Sequence, residues 1–112
     1  MGILNYVPER GDIVKLDLSP TRGHEQRGHR PMMVITLKKF NRASGRMLIC
    51  PITRTIREDP FEVPIDTLEV RGVVLPDQIR TIDWNARKPK FVANSPQNVL
   101  DEVIRKIRLL ID

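Results

Sequence analysis

The residues best suited to chemistry lie together in one polar stretch, Pro20-Thr21-Arg22-Gly23-His24-Glu25-Gln26-Arg27-Gly28-His29-Arg30-Pro31. It gathers two histidines, a carboxylate, an amide and three arginines around two glycines, and hydrophobic cores are not built from such side chains. Within a few positions it supplies general acid, general base and anion-binding groups. A polar, glycine-bearing loop is also what a solvated connector looks like, so the residue types alone leave both readings open.

A second polar cluster is Asp77-Gln78-Ile79-Arg80-Thr81-Ile82-Asp83. On a strand, alternate side chains share a face, which would set Asp77, Ile79, Thr81 and Asp83 on one side and Gln78, Arg80 and Ile82 on the other. Thr53 and Arg54 close another apolar run and supply a hydroxyl and a cation. Trp84 reads as a residue at the edge of the core, since one ring is too little for a base-stacking platform. The single cysteine, Cys50, sits in Met47-Leu48-Ile49-Cys50 and reads as a buried, inert thiol. One cysteine, two histidines in a single loop and scattered carboxylates give no metal-ligand spacing, and no cofactor is expected.

The charge balance adds a partner class. Nineteen Lys and Arg against 14 Asp and Glu leave a net charge of +5, and most of the cations are arginines, whose forked guanidinium matches phosphate oxygens better than an ammonium does. A polyanionic partner fits this balance; so does a simple solubility role for the charge.

The elements that must position these groups follow from hydrophobic periodicity. The length of 112 residues suits a single domain, 1–112. Asp12–Leu18 alternates apolar and charged residues as a half-buried strand does, and Pro31–Leu37 is a near-continuous apolar run, as in a strand covered on both faces. Residues 19–30 form a long loop between them, and Lys38–Gly45 forms a short helical turn or loop. Arg46–Thr53, Phe61–Ile65, Gly72–Leu75 and Gln78–Trp84 read as further strands, with Pro64 marking an edge or an end. Ser95-Pro96 reads as the cap of an amphipathic helix of about four turns, with Val99, Val103, Ile107 and Leu110 along one face. The fold class is therefore mainly β with helices: a small, strongly curved antiparallel sheet or barrel closed by a C-terminal helix. No apolar run reaches the ~18 residues of a membrane span, and no secretory signal is evident, so a cytoplasmic protein is expected.

Seven motifs in order carry a family resemblance: Glu9-Arg10-Gly11-Asp12-Ile13, Asp17-Leu18-Ser19-Pro20-Thr21, Gly23-His24-Glu25-Gln26, Gly28-His29-Arg30-Pro31, Phe40-Asn41, Pro51-Ile52-Thr53, and Gly72-Val73-Val74-Leu75-Pro76-Asp77-Gln78 with Thr81-Ile82-Asp83. Together they resemble the MazF/PemK (Kid) toxins of bacterial toxin–antitoxin modules over essentially the whole chain. The resemblance implies the SH3-like curved sheet shared by MazF and CcdB. It also implies a homodimeric, metal-independent endoribonuclease that cuts single-stranded RNA at short sequences and is neutralised by an acidic antitoxin of the MazE/PemI kind. The ribose 2′-hydroxyl is the nucleophile in such enzymes, which leave a 2′,3′-cyclic phosphate and a 5′-hydroxyl.

The resemblance assigns roles residue by residue. Arg30 matches the loop arginine, and a guanidinium with pKa above ~12 serves better as a phosphate clamp than as a proton donor. Glu25 matches a loop glutamate proposed as base in MazF-like members, and Thr53 matches a threonine that contacts the scissile phosphate. His24 and Asp77 match positions given stabilising and base roles in the Kid/PemK branch. Gln26, His29, Arg54, Gln78 and Arg80 complete the expected RNA-binding set, although other members carry different residues at the position of His29. One departure matters: where the Kid/PemK branch has an arginine two residues before the aspartate, this chain has Leu75, so an Arg-x-Asp pair cannot operate and weight shifts to Arg30 with Thr53. The alternatives are a CcdB-like gyrase poison, whose terminal Trp-Gly-Ile is replaced here by Leu109-Leu110-Ile111-Asp112, and a non-catalytic RNA-binding barrel.

Overall fold

The computed structural model describes residues 6–18 and 29–112, with His29 described by its backbone alone. The elements run β1 (Asp12–Asp17), β2 (His29–Val34), α1 (Lys38–Ser44), β3 (Arg46–Thr53), β4 (Val63–Asp66), β5 (Arg71–Val74), a single 3₁₀ turn (Pro76–Gln78), β6 (Arg80–Asp83), α2 (Trp84–Arg87), β7 (Lys90–Asn94) and α3 (Gln97–Ile111). All strand pairs are antiparallel, in the order β4-β5-β3-β2-β1-β7, with β6 joined to β3.

The long strand β3 organises the sheet. Along one edge it pairs with β2, Met32 opposite Pro51 and Val34 opposite Ile49. Its other edge is shared: the first half pairs with β6, Arg46 opposite Asp83 through Ile49 opposite Arg80. The last two residues pair with β5, Ile52 opposite Val74 and Thr53 opposite Val73. The 3₁₀ turn fills the gap between these partners, anchored where the Leu75 N–H donates to the Pro51 carbonyl at 3.0 Å.

The alternation of β3 feeds two separate cores. Cys50 and Ile52 join Ile13, Met33, Val63, Ile65 and Val74 beneath Val99, Leu100 and Val103 of α3. Met47 and Ile49 join Val14, Leu16, Met32, Val34, Ile82 and Trp84 on the opposite face. Burying each such aliphatic side chain contributes roughly 1.5–3 kcal/mol, so a sheet covered on both faces is what the continuous apolar run in β2 requires.

Asn41, on α1, is fully buried yet polar, and every group it carries is used. Its Nδ2 donates to the Pro8 carbonyl at 2.8 Å and the Thr36 carbonyl at 3.0 Å, its Oδ1 accepts from the Thr36 hydroxyl at 2.6 Å, and its carbonyl accepts from Trp84 Nε1 at 2.9 Å. Asn41 is thus a structural pin between the N-terminal segment, α1 and α2. Asp12 acts similarly at the start of β1, accepting from the Tyr6 hydroxyl at 2.5 Å, the Glu9 N–H at 3.0 Å and Asn94 Nδ2 at 3.1 Å.

Three local expectations are corrected. The strand expected from Gln78 starts at Arg80, because Leu75 and Pro76 accept 3₁₀ hydrogen bonds from Gln78 and Ile79. Strand β7 was not expected at all; it covers the outer edge of β1 with a bulge between Ile13 and Val14. The Ser95 hydroxyl donates to the Pro96 carbonyl at 2.9 Å instead of capping α3, which begins at Gln97 behind Pro96. Pro64 does lie on an edge strand, β4. Among the described residues no helix is long and apolar enough to cross a membrane.

Candidate active site

The register that builds the sheet also builds the site. Carried two residues beyond Met32 opposite Pro51, it sets Arg30 opposite Thr53 at the ends of β2 and β3. Both side chains line a groove of about 420 Å³ together with Pro51, Thr55, Arg57, Asp59, Glu62, Leu75, Asp77 and Gln78. The mismatch with strand periodicity is informative here. On a strand Asp77 and Gln78 would point to opposite faces, whereas the 3₁₀ turn brings both exposed side chains to the same groove.

Thr53 is set for donation. Its hydroxyl oxygen accepts the Thr55 N–H at 3.1 Å, a local turn that occupies a lone pair and leaves the hydroxyl proton for a ligand. Its backbone is held from the other side by Gly72, where φ is +144° and a Cβ would stand 2.2 Å from the Thr53 carbonyl oxygen. Only glycine lets β5 approach β3 this closely.

The loop between β3 and β4 forms the outer wall. Glu62 accepts the N–H groups of Arg57 at 2.9 Å and Glu58 at 3.0 Å, which stabilises a turn with Glu58 at a left-handed φ of 58°. Lys106 of α3 donates to the Pro60 carbonyl at 2.6 Å and the Glu62 carbonyl at 3.2 Å. The helix thus pins the wall that carries Arg57, a groove cation that the sequence reading missed because it sits in an undistinguished polar run. Beneath the groove Cys50 is fully buried; burial first, and then the Asp77 carboxylate, push its thiol up to about 12.

The remaining site residues divide. Arg54 lines a second groove of about 380 Å³ that also contains Arg30 and Thr53, and it does not line the first. Arg80 stands opposite Ile49, exposed, and lines neither. His24, Glu25 and Gln26, and the side chain of His29, lie outside the described residues.

Residues 9–111 match the family described as PemK-like, MazF-like toxin of type II toxin–antitoxin system. The chain belongs to that family. It is 37% identical over 109 residues to the endoribonuclease toxin MazF of Escherichia coli (strain K12), with 97% of this chain and 98% of that protein covered. The endoribonuclease PemK of Escherichia coli is 37% identical over 108 residues, 92% of this chain and 81% of that one. A crystal structure of MazE-MazF from Deinococcus radiodurans superposes with a TM-score of 0.87 at 41% identity, covering 95% and 96% of the two chains. The curved antiparallel sheet with its C-terminal helix is the fold of these MazF toxins. Membership favours the toxin endoribonuclease reading over the CcdB-like alternative.

Proposed function

We propose that this chain, a single domain over residues 1–112, is a MazF-type endoribonuclease that cleaves single-stranded RNA by attack of the ribose 2′-hydroxyl on the adjacent phosphodiester. The observation that carries the reading is the convergence of Arg30 and Thr53, from paired strand ends, with Asp77 and Gln78, from the 3₁₀ turn, on one groove. Attack at phosphorus builds negative charge on its non-bridging oxygens. The Arg30 guanidinium and the Thr53 hydroxyl are the donors for that charge, and preorganised donors of this sort act on the transition state more than on the substrate. Arg57 brings a second guanidinium to a groove in which Leu75 carries none.

Asp77 and Gln78 offer an acceptor and an amide to base edges or 2′-hydroxyl groups, the contacts by which single-stranded RNA is read. Arg54 and Arg80 bind flanking phosphate in this reading. His24, Gln26 and His29 complete the RNA contacts, and Glu25 is the base for the 2′-hydroxyl proton. Because the nucleophile belongs to the substrate, no water has to be activated and the reaction calls for no metal ion. The enzyme acts as a homodimer in the cytoplasm and is held inactive by an acidic antitoxin. Relatives named as MazE-MazF complexes support that last point.

The test is cleavage of single-stranded RNA with analysis of the ends: a 5′-hydroxyl and a 2′,3′-cyclic phosphate are expected. Arg30→Ala should lower the rate by roughly 10²–10³, the scale of losing one transition-state donor. Because Arg30 is exposed, the fold should be unchanged. A dimeric, folded Arg30→Ala variant that cuts at the normal rate would overturn the assignment.

A further inference from the structure

The second groove has a composition that the cleavage chemistry does not call for. It is lined by Lys15, Arg30, Arg54 and Arg71, with Glu69 as its carboxylate, and it shares Arg30 and Thr53 with the first groove. Arg71 is already paired, its Nε lying 3.1 Å from Asp66 Oδ1, in an exposed contact of little energetic weight. Among the described residues Lys15, Arg30 and Arg54 make no ion pair and no side-chain hydrogen bond.

The sheet sharpens the point. Lys15 stands directly opposite Lys90 across the β1–β7 pair, and opposite residues of an antiparallel pair share a face. Like charges in that position repel, and a bound anion relieves them. Both lysines are exposed, so nothing in the folding of the sheet demands them there.

Resting on the reading of the first groove as the site of RNA cleavage, we propose that the second groove is a subsite for the RNA backbone beyond the cleaved linkage, with Lys15 and Arg54 holding one or two phosphodiester groups. The strand passes over the ends of β2 and β3, with its scissile phosphate at Arg30 and Thr53, its bases at Asp77 and Gln78, and its continuing backbone between Lys15 and Arg54. A phosphate chain suits this half of the path because four cations, Lys15, Arg30, Arg54 and Arg71, line it against one carboxylate, Glu69.

The subsite is tested by binding of 5′-fluorescein-labelled random-sequence RNAs of 6 and 20 nucleotides, 2′-fluoro-substituted throughout to block cleavage, across a potassium chloride series. Proteins are the wild type, Lys15→Ala, Arg54→Ala, and Lys39→Ala as a control that removes one exposed charge from α1. On the 20-mer, Lys15→Ala and Arg54→Ala should each reduce the slope of log K against log salt by about 0.7, the value for one phosphate contact on a single strand. On the 6-mer the reduction should be much smaller, and Lys39→Ala should change neither. Equal losses on both lengths, or slopes unchanged on the 20-mer, would overturn the proposal. So would variants that bind RNA normally but lose affinity for a polyglutamate-rich peptide, which would assign the groove to an acidic protein segment. Failure of the cleavage reading is distinguishable, because it appears as wild-type protein that does not cut unmodified RNA, whatever the slopes.

Discussion

Replacing Gly72 by alanine should uncouple the site from the fold by a calculable amount. The added Cβ would lie 2.2 Å from the Thr53 carbonyl oxygen, 2.9 Å from its carbonyl carbon and 3.3 Å from the Arg54 Cα. Ordinary van der Waals contact begins near 3.4 Å, so 3.4 minus 2.2, or about 1.2 Å, of separation must open between β5 and the end of β3. The neighbours are backbone atoms and cannot rotate away as a side chain would. Alanine is also strained at a φ of +144°, a further ~1–3 kcal/mol. Together these effects place the loss of stability at about 2–4 kcal/mol. A displacement near 1 Å at Thr53 should in addition reduce cleavage by up to ~10²-fold, since misplacement on that scale disrupts transition-state contacts. Urea unfolding followed by Trp84 fluorescence gives the first quantity, and single-turnover cleavage well below the unfolding midpoint gives the second. Gly45→Ala is the control: φ is +74° there too, but the Cβ would meet only the Asn85 side chain, remote from the groove. It should lose stability and keep its rate. A Gly72→Ala protein with the wild-type midpoint and rate would refute the claim that β5 positions Thr53.

Other outcomes follow from the same structure. Cleavage should persist in EDTA, because the 2′-hydroxyl supplies the nucleophile; loss on chelation with recovery on adding a divalent ion would contradict the mechanism. Native Cys50 should resist alkylation at pH 8, where a thiol at about 12 is ionised in only about one molecule in 10⁴, and should react fully in denaturant. Its raised value also fixes a sign: the contribution to stability is complete below the unfolded value of 9.0 and is lost as pH rises towards about 12, so unfolding midpoints should fall over that window and fall less in Cys50→Ala. An acidic antitoxin peptide should associate more slowly as salt rises while its dissociation changes little, which stopped-flow binding will show.

How much of this was legible in the sequence depended on whether local pattern and tertiary pairing agreed. Strand β3 was read with its observed bounds, Arg46 to Thr53, because a β-branched and apolar run between Gly45 and a polar loop has one outcome when buried on both faces. The terminal helix was read for the same reason, its period matching the core it covers. Strand β7 escaped because Phe91 is exposed and the bulge opposite Ile13 and Val14 breaks the alternation. Asp77 and Gln78 lie on a 3₁₀ turn where the sequence pattern points to a strand. Their convergence comes from Pro76 and from the carbonyl of Pro51, a contact 24 residues away in sequence that no local pattern announces. Arg57 carried no signal; it is defined by Glu62 and by Lys106 of α3.

The divided edge of β3 has a consequence for how such a protein can diversify. Because β6 and β5 hold the two halves of that edge by main-chain bonds, the 3₁₀ turn between them is suspended from both sides, its own backbone fixed by Leu75, Pro76 and Pro51. The side chains at 77 and 78 do none of this holding and are exposed. They form an interchangeable cassette: new residues there change the side chains offered to the groove while Arg30, on β2, and Thr53, held between β2 and β5, keep their places. In the proposed reading, recognition at 77 and 78 and catalysis at Arg30 and Thr53 then rest on different segments of the chain, and a library confined to two codons samples one without touching the other.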